Sequence, residues 1–156
     1  MKARFRMRHL RGHGIHSPFV YSLIREAFMK RKLTDGGDTG LYSELIKYGA
    51  GKHSARELQN LHSYCKYKEH VIIAGSDAGI KTGSLNIIFP GSDAFDIISG
   101  GFGEPAAIVV MYPYTDSAQR KLCAQLIARK ECASVDRRKY MVFFYDNKLQ
   151  VQHFKL

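Results

Sequence analysis

The run Val71-Ile72-Ile73-Ala74, followed at once by Gly75, constrains this chain more than any other stretch. Its β-branched residues are stiff at χ1 and suit a pleated, buried surface. So short an apolar run, closed by glycine, is expected of a strand buried on both faces. Gly75-Ser76-Asp77-Ala78-Gly79 reads as the turn after it, and a helix is expected from about Ile80 to Ile88, stopped before Pro90. Phe95 to Ser99 and Ala106 to Tyr112 read as further strands.

Helices are expected around this centre. Ser17 can cap free amides, Pro18 suits a first helical position, and Phe19, Val20, Leu23, Ile24, Ala27 and Phe28 follow at helical spacing, with Lys30, Arg31 and Lys32 at the negative end of the dipole. Residues 35–40 read as a loop, Leu41 to Tyr48 as a short helix ended by Gly49, and Ser54-x-x-Glu57 as a capping box opening another helix. Thr115 or Asp116 should cap a helix that ends near Lys130. Tyr140 to Tyr145, the turn Asp146-Asn147-Lys148, and Leu149 to Phe154 read as a C-terminal antiparallel β-hairpin.

The expected organisation is a basic N-terminal arm over residues 1–16 and a single α/β domain over 17–156. The chain has 156 residues, enough for one hydrophobic core without staples, and its 45% hydrophobic content excludes the composition of disorder. Charge is unevenly placed: residues 1–33 hold nine Lys/Arg against Glu26 alone, which is +8 of the formal +10. Three cysteines without a C-x-x-C pair indicate neither a disulfide framework nor a zinc site and fit a cytoplasmic protein. No apolar run approaches the about 18 residues that a bilayer span needs, so no membrane partner is expected.

Two segments resemble the class I S-adenosylmethionine-dependent methyltransferases, in particular a bacterial branch opening with a His-Gly-(Val/Ile)-His-Ser-Pro-Phe-Val segment. Here these are His13-Gly14-Ile15-His16-Ser17-Pro18-Phe19-Val20 and the stretch from Ile72 through Gly75 and Gly79 to Thr82, which looks like the family's glycine motif after the first strand. Ser134-Val135-Asp136 and Tyr140 to Phe144, followed by Gln152-His153-Phe154, look like the branch's closing hairpin. The resemblance implies a Rossmann-like, methyltransferase-like sheet, here reduced, with N-terminal helices. It also implies S-adenosylmethionine as cofactor, held at Gly75, Ser76, Asp77 and Gly79.

The same resemblance calls for acids that are absent from this sequence. Ile73 stands where the family carries an acid before the motif glycine, no residue matches the acid that ends its second strand, and its paired carboxylates after the fifth strand fall near Tyr112-Pro113. Ser99 stands where an Asp is expected after Phe95-Asp96-Ile97-Ile98. A pocket that has exchanged oxygen ligands for apolar groups leaves polar groups of its guest unpaired. Length adds a second objection: six residues between Ser99 and Ala106 are too few for a parallel crossover. Either those strands form a hairpin, or one belongs to another sheet or a partner chain, and the domain reads as a core with βα units removed.

Three functions follow as expectations. The first is a degenerate, non-catalytic methyltransferase-like domain serving as a binding or assembly module, a homo-oligomer because missing helices would leave sheet surface bare. The second is an active methyltransferase of unknown substrate. The third is a phosphate or nucleic-acid binder using Arg4, Arg6, Arg8 and Arg11, whose bland alternative is a solvated charged face. His13 and His16 form a candidate polar site, for which packing beside the Ser17 helix start is the simpler account; no metal site is expected.

Overall fold

The computed structural model describes residues 17–34, 40–75, 79–93, 98, 106–146 and 148–156. The arm over residues 1–16 and most of the expected loop at 35–40 lie outside them. The chain divides into two compact units, a helical one up to Lys66 and a sheet unit from Tyr67 to Lys155.

In the helical unit, α1 (Pro18–Leu23) begins as the sequence predicts, with Ser17 Oγ accepting from Val20 N–H and Pro18 in the first turn. It runs directly into a π-helical segment, Ile24–Phe28, in which Met29 N–H reaches back five residues to Ile24 O at 2.8 Å. Then α2 (Leu41–Lys47) ends where Gly49, at φ +101°, turns into the left-handed region and lets Ala50 N–H return to Leu45 O. The last helix, α3 (Lys52–Cys65), corrects the expected capping box: Gly51 is the N-cap, and Ser54 and Glu57 lie buried inside the helix. Glycine serves adequately as an N-cap, so the helix starts two residues before Ser54. Its buried Asn60 accepts from Thr34 N–H and Oγ1 and donates to Lys32 O, fixing the approach of the preceding segment.

The sheet unit has six strands, β1 (His70–Ile73), β2 (Leu85–Ile88), β3 (Ala107–Met111), β4 (Ala133–Asp136), β5 (Tyr140–Phe144) and β6 (His153–Lys155), in the order β1-β2-β3-β5-β4-β6. β1, β2 and β3 are parallel; β5 inserts antiparallel to both β3 and β4, and β6 lies parallel to β4. Mixed α/β architecture is therefore correct.

Three expectations are overturned, and a fourth lies largely outside the described residues. Leu85–Ile88 is a strand and not the end of a helix from Ile80: Gly83 is left-handed at φ +72°, and the buried Asn86 side chain ties down Lys81 N–H and the carbonyls of Lys81, Ser84 and Ala107. A helix at 80–88 would need neither. The expected strand Phe95–Ser99 falls outside the described residues except at Ile98, which is helical. β1 is an edge strand, with only Ile73 fully buried. Finally, the hairpin is formed by β4 and β5 and not by β5 and β6. Asp146 Oδ1 accepts from Lys148 N–H, Asn147 lies outside the described residues, and the chain then crosses to the far edge of β4.

One face of the sheet packs its Ile88, Ile108, Val110, Met141 and Phe143 against Leu122, Cys123 and Leu126 of α4 (Ser117–Ala128). Each fully buried aliphatic or aromatic side chain contributes about 2 kcal/mol. Asp116 caps α4 as predicted, accepting from Gln119 N–H. β2, β3, β4 and β5 are buried at every position.

Gln119 is the polar joint of this packing. Fully sequestered, its Nε2 donates to Ile88 O and to Met111 O, both at 2.9 Å, joining the carboxyl ends of β2 and β3 to the first turn of α4. Gln119→Leu keeps the bulk and removes both donors, so urea denaturation should show a loss of about 2 kcal/mol from two buried hydrogen bonds.

Candidate functional site

In open α/β sheets, ligands sit outside the carboxyl ends of the parallel strands. At that edge of this sheet lie Ala74-Gly75 after β1, Phe89 to Asp93 after β2 and Tyr112 to Asp116 after β3. The end of β4 and the start of β5 meet there as well, because β5 runs antiparallel to β3 and begins at Tyr140 beside Met111.

The sequence-predicted cofactor turn is at this edge. Gly75 is half-buried and Gly79 exposed, while Ser76 and Asp77 lie outside the described residues. Neither glycine has a positive φ, and a Cβ added to either would meet nothing within 4 Å. Among the described residues, neither backbone strain nor packing demands glycine at either position.

The polar groups around it do not form a grip for a ribose. Ile73, at the carboxyl end of β1, is fully buried, and its carbonyl is taken by Phe89 N–H at 2.9 Å. The carbonyls of Ile88 and Met111 are taken by Gln119. Of the described acids at this edge, Asp116 is occupied as a helix cap and Asp136 is buried in bonds to Tyr114 and Arg138. Asp93 stands exposed after β2. Beyond β1 no further strand lies among the described residues, so a carboxylate carried at the end of a neighbouring strand has no position there. These residues do not fit a cofactor held by ribose-binding carboxylates.

A different cluster, not recognised in the sequence, does assemble at this edge. The Tyr114 hydroxyl donates to Asp136 Oδ2, Asp136 Oδ1 accepts from Arg138 N–H at 2.8 Å, and Arg120 Nη2 donates to Tyr114 O at 3.0 Å. Tyr112 and Arg138 both adopt left-handed backbone conformations, at φ +55° and +72°, and Tyr112 N–H donates to Lys139 O at 2.8 Å. Desolvation, then the bond to Asp136, pushes the Tyr114 phenol up to about 12. Burial first, with the nearby Asp136 charge, pushes the Cys123 thiol up to about 12. The cluster's members come from three segments of the chain, and only the tight Asp136-Arg137-Arg138-Lys139 spacing between two apolar runs marks it in the sequence.

Two further side-chain pairs are formed. On α3 the buried Glu57 accepts from exposed His53 Nε2 at 2.9 Å, and His53 Nδ1 meets Arg56 Nη2 at 2.8 Å, so both ring nitrogens are engaged. Ser134 Oγ and His153 Nδ1 lie 2.6 Å apart between β4 and β6. Ser134 is 2% exposed, which closes its hydroxyl to a substrate. Among the described residues no group of three or more His, Cys, Asp or Glu side chains is arranged to hold a metal ion. No helix among them is long and apolar enough to cross a membrane. Arg4, Arg6, Arg8, Arg11, His13 and His16 lie outside the described residues.

Comparison with protein-family models, with curated proteins and with solved structures finds no match to this chain.

Two measurements test the cluster. A phenol whose folded value is raised above its ordinary 10 stabilises the fold fully below about pH 10, because only above that does the unfolded chain release the proton first. That contribution fades as pH rises from about 10 through about 12. The difference in melting temperature between the wild type and Tyr114→Phe should therefore be flat to pH 9.5 and shrink above it; a constant difference to pH 12 contradicts the Tyr114 assignment. At pH 8, half-exposed Cys65 should react with a thiol reagent while buried Cys123 and Cys132, both raised by burial, stay protected until denaturant is added.

Proposed function

We propose that this chain is a reduced methyltransferase-like domain that has lost methyl transfer and acts as a binding or assembly module. The observation that carries this reading is the place of β1: it ends in the glycine turn expected of a cofactor site, yet it is an edge strand that ends in buried Ile73. A glycine turn at the carboxyl end of a parallel strand supports kinship with a nucleotide-binding design. The antiparallel β4–β5 hairpin is the element the resemblance assigns to Ser134–Asp136 and Tyr140–Phe144, and supports the same kinship. The missing acid before the motif glycine supports loss of the chemistry, since buried Ile73 cannot orient a ribose.

Calorimetric titration with S-adenosylmethionine and with its demethylated product decides between this reading and an active enzyme. The expected result is no heat at millimolar ligand. Saturable binding at micromolar concentration would restore the enzyme reading.

Assembly in this reading runs through the outer edge of β1. Leu85 N–H donates to Glu69 O and Phe89 N–H to Ile73 O, so alternate residues face β2 and the N–H and C=O of Ile72 face away. Among the described residues nothing pairs with them, and an unpaired strand edge is a template for a second chain. Each copy carries a formal +10, so self-association should strengthen as salt screens the repulsion. Light scattering should show a dimer at about 0.5 M salt that Ile72→Pro abolishes without unfolding, because proline is tolerated at a strand edge but cannot donate. A monomer under all conditions removes the assembly role.

A further inference from the structure

The β4–β5 hairpin turns through three successive cations, Arg137-Arg138-Lys139. Its backbone is fastened from several directions. Arg137 N–H donates to Tyr140 O at 2.9 Å, Lys139 N–H to Arg137 O at 3.0 Å, and Lys139 O accepts from Tyr112 N–H at 2.8 Å. Asp136 accepts from Arg138 N–H and from the Tyr114 hydroxyl, and Arg120 donates to Tyr114 O. The result is a fixed platform in which Asp136 is 5% exposed and turned inward, while Arg120, Arg138 and Lys139 face solvent.

Two features of this platform point to an anionic partner. First, among the described residues no carboxylate lies within ion-pair distance of Arg120, Arg138 or Lys139. Second, Arg138 sits at φ +72°, a backbone state that glycine enters freely and a long side chain enters at a steric cost. The turn geometry alone would favour glycine or asparagine. An arginine held there against the backbone's preference indicates that its charge has a use.

A further feature selects among polyanions. Tyr114 is 45% exposed with its hydroxyl anchored on Asp136, which leaves ring surface open beside the cations. We propose that the Arg138-Lys139 turn, with Arg120 and Tyr114, binds the phosphodiester backbone of single-stranded nucleic acid. Arg138, Lys139 and Arg120 neutralise successive phosphates, and one unpaired base stacks on Tyr114. A duplex keeps its bases stacked inside and offers the ring nothing, and an acidic protein surface would use the cations but not the ring. This assignment is independent of the methyltransferase-like reading and of the N-terminal arginines.

The test uses the full chain and a fluorescein-labelled 12-nucleotide oligothymidylate, read by anisotropy over a range of salt concentrations. The Arg138→Gly/Lys139→Ala variant should bind about tenfold more weakly, with a log–log salt slope reduced by about 1.4, the share of two single-strand phosphates. Its melting temperature should equal or exceed that of the wild type, because glycine relieves the left-handed strain. Tyr114→Leu should weaken oligothymidylate binding several-fold and leave heparin binding unchanged. Unchanged affinity and slope in the double variant overturn the proposal. An equal loss when labelled polyglutamate replaces the oligonucleotide, with no effect of Tyr114→Leu on either, also overturns it in favour of an acidic protein partner. Should the double variant melt early, Arg138→Gly alone carries the same comparison, with a slope change of about 0.7 expected.

Discussion

The sheet unit depends on one side-chain amide. Gln119 stands where two parallel strands end and the following helix begins, and its Nε2 closes both strand ends at once. Each such buried hydrogen bond contributes about 1 kcal/mol, a sizeable share of the stability of a small domain. Supplying the donor from the helix fixes the angle at which α4 meets the sheet, and with it the placement of Leu122, Cys123 and Leu126 over Ile88, Val110 and Phe143. The same joint also removes from the carboxyl edge two carbonyls that a ligand might otherwise have used.

What the sequence revealed about the fold is what local chemistry dictates. Ser17-Pro18 opens a helix, Asp116 caps one, Gly49 ends one, and the β-branched run at Val71 to Ile73 makes a strand, because in each case the decisive atoms lie within a few residues. Errors came where the decisive partner is remote. Leu85–Ile88 looks helical until Asn86 is seen to bind Ala107 O, 21 residues away. The last strand looks like the partner of β5 until β4 is found between them. The site followed the same rule. A glycine turn after β1 was legible, but the Tyr114–Asp136 bond spans 22 residues and leaves no periodic trace.

Function divides along the same edge of the sheet. At the β1 side, the strand ends in buried Ile73 ahead of Gly75. At the β3–β5–β4 side, hydrogen bonds are dense, two non-glycine residues hold left-handed conformations, and among the described residues no carboxylate forms an ion pair with Arg120, Arg138 or Lys139. Strain persists only where surrounding bonds over-determine it. Constraint is thus concentrated on the side of the edge away from the glycine turn, which is where a surviving activity would be maintained.

The π-helical segment at Ile24–Phe28 has a consequence for how this chain tolerates changes in length. An i to i+5 turn contains one residue more than an α-helical turn, so everything after it is rotated by about 100° relative to an unbroken helix. The surplus residue acts as slack: deletion of one position there collapses the segment to an ordinary α-helix, with hydrogen bonds intact on either side. No strand of the sheet has such a reserve, since losing one residue from β5 would exchange its two buried faces. Indels in this lineage should therefore accumulate in the first helix and be purged from the hairpin.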